Sequence, residues 1–277
     1  MASFFDKIQN WVQTLSPKSK SRSSTSPSPS PNSNSSSTIQ MSPLDEPQPP
    51  SDWLFPEDCL QWILDQGLRL GEKLGAGAYG SAYTLCSKNE EEPCEKIVKV
   101  QRIGIKSGIK RTTFELHMSN FKREVKLNSI ASDLGVSPRL HGSFTCHNSN
   151  GEYYGVIIMD RWDMTLGKYF RTFNTGLSDD MLKRLDQKVD ALHTSGVYHG
   201  DLHNENVVVR LSKTQPGVVT DVALIDFGWS ATKSHPLYPV SRFRDKQLVP
   251  KIATQSNTLS ESSSLYDNSS YYMEDYW

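Results

Sequence analysis

"GVYHGDLHNENVVV", residues 196–209, sets His199, Asp201, His203 and Asn206 within eight positions and then runs into three valines. Side chains of these types suit two chemistries. His199, Asp201 and His203 alternate as metal ligands on a strand would. Alternatively, Asp201 accepts or orients the proton of an attacking hydroxyl while Asn206 offers a carbonyl oxygen to Mg²⁺, as phosphoryl transfer requires. Gly200, Asn204 and Glu205 argue for a loop, and none of the other five histidines sits with acids or thiols at ligand spacing. Phosphoryl transfer is the stronger reading, and it demands a second carboxylate near the phosphates and a loop to cradle them.

A matching carboxylate stands at Asp226, in "ALIDFGWS", at the end of a predicted strand and followed by Phe227 and Gly228. "GAGAYG", residues 75–80, fits G-x-G-x-x-G, a weak signal alone and equally readable as a glycine-rich hairpin without a ligand. A dinucleotide fingerprint would open a helix, whereas these glycines separate "LRLGEKL" from "SAYTLC", both strand-like. Backbone N–H groups of Gly75, Ala76, Gly77, Ala78, Tyr79 and Gly80 would then lie over phosphates. Nineteen residues on, "IVKV" places Lys99 among buried strand residues, where lysine needs a carboxylate or phosphate. The helical stretch 114–132 sets Phe114, Met118, Phe121, Val125 and Ile130 near one face and offers Glu115 and Glu124. Glu124, deeper in the helix, is the one expected to point inward.

Taken in chain order, Gly-rich loop, strand lysine, helix glutamate, H-x-D-x-x-x-x-N and D-F-G, the sequence resembles the protein-kinase superfamily over residues 68–230. The resemblance implies an α+β, two-lobed fold: a small antiparallel-sheet N-lobe, a truncated helical C-lobe, and ATP with Mg²⁺ in the cleft between them. It further implies that residues 75–80 cover the phosphates, that Lys99 holds the α and β phosphates and pairs with Glu124, and that Asp201 is the catalytic base. Asn206 and Asp226 become the Mg²⁺ ligands. Met159 resembles the residue at the adenine entrance, with Asp160 to Trp162 as the hinge whose backbone meets the base. His199 becomes a structural support of the loop.

Two departures bear on the acceptor. His203 stands where serine/threonine protein kinases usually carry lysine; it can donate a hydrogen bond, and a charge when protonated, to a transferring phosphate, or it can merely pack beside the loop. "HGDLHNEN" is similar to the loops of aminoglycoside and choline kinases and of the small kinase in the KEOPS assembly. Only 49 residues follow Gly228, and no A-P-E motif is among them. Compact atypical kinases, including viral ones, are reduced in this manner. The leading expectation is a protein serine/threonine kinase, with a small-molecule kinase and a partner-binding pseudokinase as alternatives, and an activating partner in place of the missing lobe surface.

The rest of the 277 residues sets boundaries. With 30 basic and 31 acidic residues there is no global field for nucleic acid or an anionic membrane. No run approaches the length of a transmembrane helix. Cys59, Cys86, Cys94 and Cys146 form no CxxC pair and no secretory signal is evident, so ordinary thiols in a reduced, intracellular compartment are expected. Residues 1–15 place Phe4, Phe5, Ile8, Trp11, Val12 and Leu15 at helical spacing, an amphipathic segment for a partner, a membrane surface or the chain's own domain. Residues 16–52, rich in serine and proline with five Ser-Pro steps, are expected to be a disordered linker open to phosphorylation. The kinase-like domain is expected over 53–250, with the lobes dividing near 160. Residues 251–277 read as a polar tail with acidic and aromatic spots, disordered or a short docking segment.

Overall fold

Alternating and β-branched runs at the start of the domain pair as their pattern predicts. The computed structural model describes residues 56–77, 80–89, 93–105, 111–235 and 238–254; the expectations for residues 1–15, 16–52 and 255–277 fall outside these. Leu68–Gly77 (β1), Gly80–Ser87 (β2) and Lys96–Ile105 (β3) are antiparallel neighbours, and Leu140–His147 (β4) and Glu152–Asp160 (β5) complete a sheet ordered β1-β2-β3-β5-β4. One face carries Leu85, Val98, Val100, Val156 and Ile158 against the helix Glu57–Asp65 (α1). The other packs Ile103, Ile157 and Met159 on Phe114 and Phe121 of the helix Arg111–Asp133 (α2). Gly155 permits that approach, because a Cβ there would meet the Phe121 ring at 2.4 Å. The close seating brings Glu124 to the sheet.

Pro56 precedes α1 and Gly67, at φ +73°, follows it, as the sequence suggests. The sequence offers Leu60, Ile63 and Leu64 as its apolar face; Ile63 is buried as that face requires, but Cys59 is buried with it and Leu64 is exposed. Ile130 also departs, because α2 outlasts the small lobe and its last turns, through Leu127, Ile130 and Ala131, join the core of the large one. A single rigid helix thus touches both lobes.

The large lobe holds Met164–Thr165 (β6), Leu166–Phe173 (α3), Asp179–Thr194 (α4), Val197–Tyr198 (β7), Val207–Leu211 (β8), Val219–Leu224 (β9), Ala231–Thr232 (β10) and Tyr238–Thr254 (α5). Ser178 caps α4 by accepting from the Met181 N–H, and Gly196, at φ +84°, turns the chain after it. The three valines that follow the loop are all buried in β8, which lies between β6 and β9. Helix α5 occupies a stretch for which the sequence suggested no element, and it runs four residues past the expected domain end at 250. Val249 and Ile252 insert into the core with Leu185, Val189 and Leu192 of α4, so α5 closes one side of the large lobe's core.

The cysteines contradict the expectation of ordinary thiols. Cys59 of α1 is bonded to Cys146 of β4, and Cys86 of β2 to Cys94 just before β3, with Cα separations of 5.5 and 5.1 Å. Partners 87 positions apart leave no spacing signal, because it is the fold that brings them together. The cysteine argument for a reduced compartment therefore falls. Among the described residues no helix is long and apolar enough to cross a membrane. The first crosslink closes a long loop of the unfolded chain, and its removal in Cys59→Ser/Cys146→Ser should cost about 2–4 kcal/mol. Urea unfolding measures it; an unchanged midpoint would mean that the bond constrains nothing.

Candidate active site

Lys99 stands in β3 opposite Ala82 of β2 and Ile157 of β5. Its Nζ lies 2.9 Å from Glu124 Oε1 and 3.1 Å from Asp226 Oδ1. The other Glu124 oxygen accepts from Gln101 Nε2 at 3.1 Å, so this carboxylate, only 5% exposed, has both oxygens engaged. Burial alone would favour a neutral lysine, but Glu124 and Asp226 more than offset it and hold the Lys99 pKa well above its ordinary value. For Asp226 burial acts upward, yet Lys99 and the Gly228 N–H hold the carboxyl below its usual range. Glu115, the other candidate, is exposed.

Asp226 adopts φ +65°, uncommon for a residue with a side chain, as the chain turns out of β9. From α2, Arg123 Nη2 donates to the Gly228 carbonyl at 3.0 Å. The helix that carries Glu124 thus also grips the segment that carries Asp226.

In the loop 199–206 the backbone is fixed first. Gly200 has φ +82°, and a Cβ there would meet the Trp229 carbonyl oxygen at 2.6 Å, so glycine is required. Asp245 of α5, 1% exposed, accepts from the His199 N–H at 2.8 Å, the Gly200 N–H at 3.2 Å and His193 Nε2 at 3.0 Å. His199 is fully buried; its Nε2 donates to the Ile225 carbonyl at 2.9 Å and its Nδ1 accepts from the Asp201 N–H at 3.4 Å. With both ring nitrogens engaged, His199 is a brace and not a metal ligand, which removes the metal-cluster reading of the loop. Among the described residues no group of three or more His, Cys, Asp or Glu side chains is arranged to hold a metal.

Asn206, in the 3₁₀ turn Asn204–Asn206, donates from Nδ2 to both the Asp201 carbonyl, at 2.9 Å, and Asp201 Oδ2, at 3.0 Å. This fixes the aspartate and leaves the Asn206 amide oxygen for a cation. His203 accepts from the Glu205 N–H through Nδ1 and sets Nε2 3.5 Å from Asp201 Oδ2. It therefore stands beside the aspartate and is partly exposed. Glu205 is held in turn by Thr165 Oγ1 at 2.6 Å and Arg171 Nη1 at 2.8 Å.

The glycine-rich stretch is the β1–β2 hairpin, with Gly77 paired to Gly80. A Cβ on Gly80 would meet the Val100 carbonyl oxygen at 2.0 Å, whereas Gly75 faces open space. Ala78 and Tyr79 lie outside the described residues. At the expected hinge, the Asp160 N–H donates to the Arg139 carbonyl at 2.9 Å and the Arg161 N–H to the Glu95 carbonyl at 2.7 Å. Asp160 Oδ1 holds His141 Nε2 at 2.5 Å. Two N–H groups of the expected hinge are therefore engaged within the protein.

Oxygen donors from Asn206 and Asp226 suit a hard cation such as Mg²⁺, and Lys99 beside an Asp226 carboxylate that is 44% exposed suits phosphates. These residues fit ATP and Mg²⁺. Sequence reasoning missed three supports: Gln101, Arg123 and Asp245. Gln101 carried a signal, since it lies two residues from Lys99 on the same strand face. Asp245, in "SRFRDKQ", carried none, because flanking bases make it read as a surface residue.

A five-stranded sheet with a helix bearing Glu124, set over a helical lobe whose loop bears Asp201 and Asn206, defines a protein-kinase-like chain. Residues 87–250 match the model of the lipopolysaccharide kinase (Kdo/WaaP) family. That is more than half of the chain, and the chain belongs to this family. It is 32% identical over 93 residues to the EKC/KEOPS complex subunit bud32 of Aspergillus fumigatus, covering 26% of this chain and 32% of that protein. To serine/threonine-protein kinase D of Synechocystis it is 26% identical over 170 residues, 60% of this chain and 30% of the relative. An Aurora kinase of Debaryomyces hansenii is 26% identical over 175 residues, with 60% and 36% covered. The chain spans about a third of the length of these relatives.

Two outcomes test the geometry. Asp245→Ala would leave the buried His199 N–H, at about 1–3 kcal/mol, and the partly buried Gly200 N–H without their acceptor, and calorimetry should show a clear fall in thermal midpoint; a shift like that of an exposed substitution would remove the anchor. The depressed Asp226 carboxyl contributes its ion-pair stability above an unfolded pKa of about 3.9, and loses it as pH falls through the lower folded value. The difference in urea midpoint between wild type and Asp226→Asn should therefore stay constant from about pH 5 to 9 and shrink below about pH 4. A difference that changes across neutral pH would point to another group.

Proposed function

We propose that the chain is an ATP- and Mg²⁺-dependent phosphotransferase that passes the γ-phosphate to a hydroxyl, in the first instance a serine or threonine side chain of a protein. The single observation that carries this is Lys99 bridging Glu124 and Asp226 while Asn206 clamps Asp201 in the same domain. ATP would supply the electrophilic phosphorus and the leaving ADP, and Mg²⁺ would neutralise phosphate charge. The Lys99 ammonium holds the α and β phosphates; Glu124, locked by Gln101, holds Lys99. Asp201, its Oδ2 fixed by Asn206, accepts the proton of the attacking hydroxyl. His203, its hydrogen on Nε2, can give that hydrogen either to the Asp201 carboxylate beside it or, by turning away from it, to the transferring group. Most of the rate then comes from positioning and charge placement.

A sugar or other small-molecule hydroxyl is the second reading, favoured by the family description and by the 12-residue step from Asp226 to the start of α5. So short a segment offers little platform for an extended peptide. The relatives named as protein kinases favour the first reading. That bud32 is named as a complex subunit supports an activating partner for this chain as well. The full chain incubated with Mg²⁺ and labelled ATP should transfer label, and Asp201→Asn should lose about 100-fold or more. Label on a generic protein acceptor supports the first reading, and label only on aminoglycosides, choline or sugars the second. ATP binding with no transfer to any acceptor would leave a pseudokinase.

A further inference from the structure

Between the end of α2, the stretch 160–162, α4 and the β8–β9 pair lies a cleft of about 580 Å³ that shares no residue with Lys99, Glu124, Asp201, Asn206 or Asp226. A second, of about 300 Å³, shares Gly135, Lys188 and Asp221 with it, so the two make one furrow along α4. Its charges are unevenly matched: the bases Arg139, Arg184, Lys188 and Arg210 stand against the acids Asp133, Asp160 and Asp221. Asp221 is held by Lys188 at 3.3 Å and Arg184 at 3.4 Å, and Asp160 by His141. Arg139 and Arg210 meet no carboxylate within salt-bridge distance among the described residues. Arg210 instead lies 4.6 Å from the centroid of the Trp162 ring. Leu134, at the furrow's edge, is 44% exposed. An aromatic floor with two unmatched guanidinium groups suits a strand that carries both carboxylates and rings.

The chain holds such a stretch. Residues 266–277, "YDNSSYYMEDYW", contain three acids, no base and five aromatic residues. Helix α5 runs antiparallel to α4, with Asp245 at His193 and Lys246 at Asp190 and Asp186, so it ends at Thr254 toward the start of α4. Arg184 and Lys188 reach the furrow from α4 itself. Residues 255–270 can span up to about 50 Å, ample to pass a helix about 10 Å across.

We propose that residues 271–277 of the same chain dock in this furrow, with Glu274 and Asp275 against Arg139 and Arg210 and an aromatic ring beside Trp162. The bound segment covers the outer side of the hinge. It leaves the cleft that holds Lys99 and Asp201 open, so the docking stands or falls apart from the phosphotransfer reading.

Hydrogen exchange of the full chain, followed by mass spectrometry, tests this. The amides of 271–277 should exchange at least tenfold more slowly than free peptide, and Arg139→Gln/Arg210→Gln should abolish the protection without moving the thermal midpoint. Glu274→Lys/Asp275→Lys, which alters neither core, should abolish it too; combined with Arg139→Glu/Arg210→Glu it should restore it. Exchange at the free-peptide rate in wild type would overturn the proposal, as would protection indifferent to all these changes. Protection that rises with chain concentration would also overturn it, placing the segment on a second copy.

Discussion

A lysine held inside a sheet must find negative charge, and the arrangement around Lys99 follows from that requirement. Its ammonium takes one carboxylate from α2 and one from the segment after β9, so a single cation ties the small lobe's sheet to its helix and to the large lobe. Each partner is then secured by a further donor, Gln101 for Glu124 and the Gly228 N–H for Asp226. The Lys99–Glu124 pair, its carboxylate buried, is far from an exposed surface bridge, where screening leaves little net attraction; Asp226, 44% exposed, is the more screened partner.

The large lobe solves a different problem with the same means. Its loop needs Asp201 and Asn206 in fixed orientation without a long helical scaffold. Asp245 supplies the fixation from α5, taking two loop N–H groups and His193 in the core, while His199 ties the loop to Ile225. The short connection from Asp226 to α5 is compatible with this because the helix that anchors the loop comes directly after it.

The parts of this plan that were legible in the sequence are those written as local pattern. Strand alternation, the glycine hairpin and the spacing from Asp201 to Asn206 each depend on neighbours within a few positions. Glu124 over Glu115 was legible from depth in the helix. The Cys59–Cys146 bond, Asp245 and Arg123 were not, because each joins residues that only the folded chain brings together, and local context misreads them: isolated cysteines look like thiols, and an aspartate among bases looks like surface. Leu64 shows the same limit on a small scale, since the helix turned Cys59 inward to meet Cys146 and left the leucine outside.

Under the proposed function, Lys99 and Asp226 together receive ATP with Mg²⁺. Calorimetric titration of the chain with ATP, with and without Mg²⁺, against the same titrations of Asp226→Asn, tests it most directly. The account predicts binding that Mg²⁺ strengthens in the wild type and that loses this Mg²⁺ dependence in the variant. Equal ATP affinity with and without Mg²⁺ in the wild type, or a Mg²⁺ dependence that survives in Asp226→Asn, would contradict it.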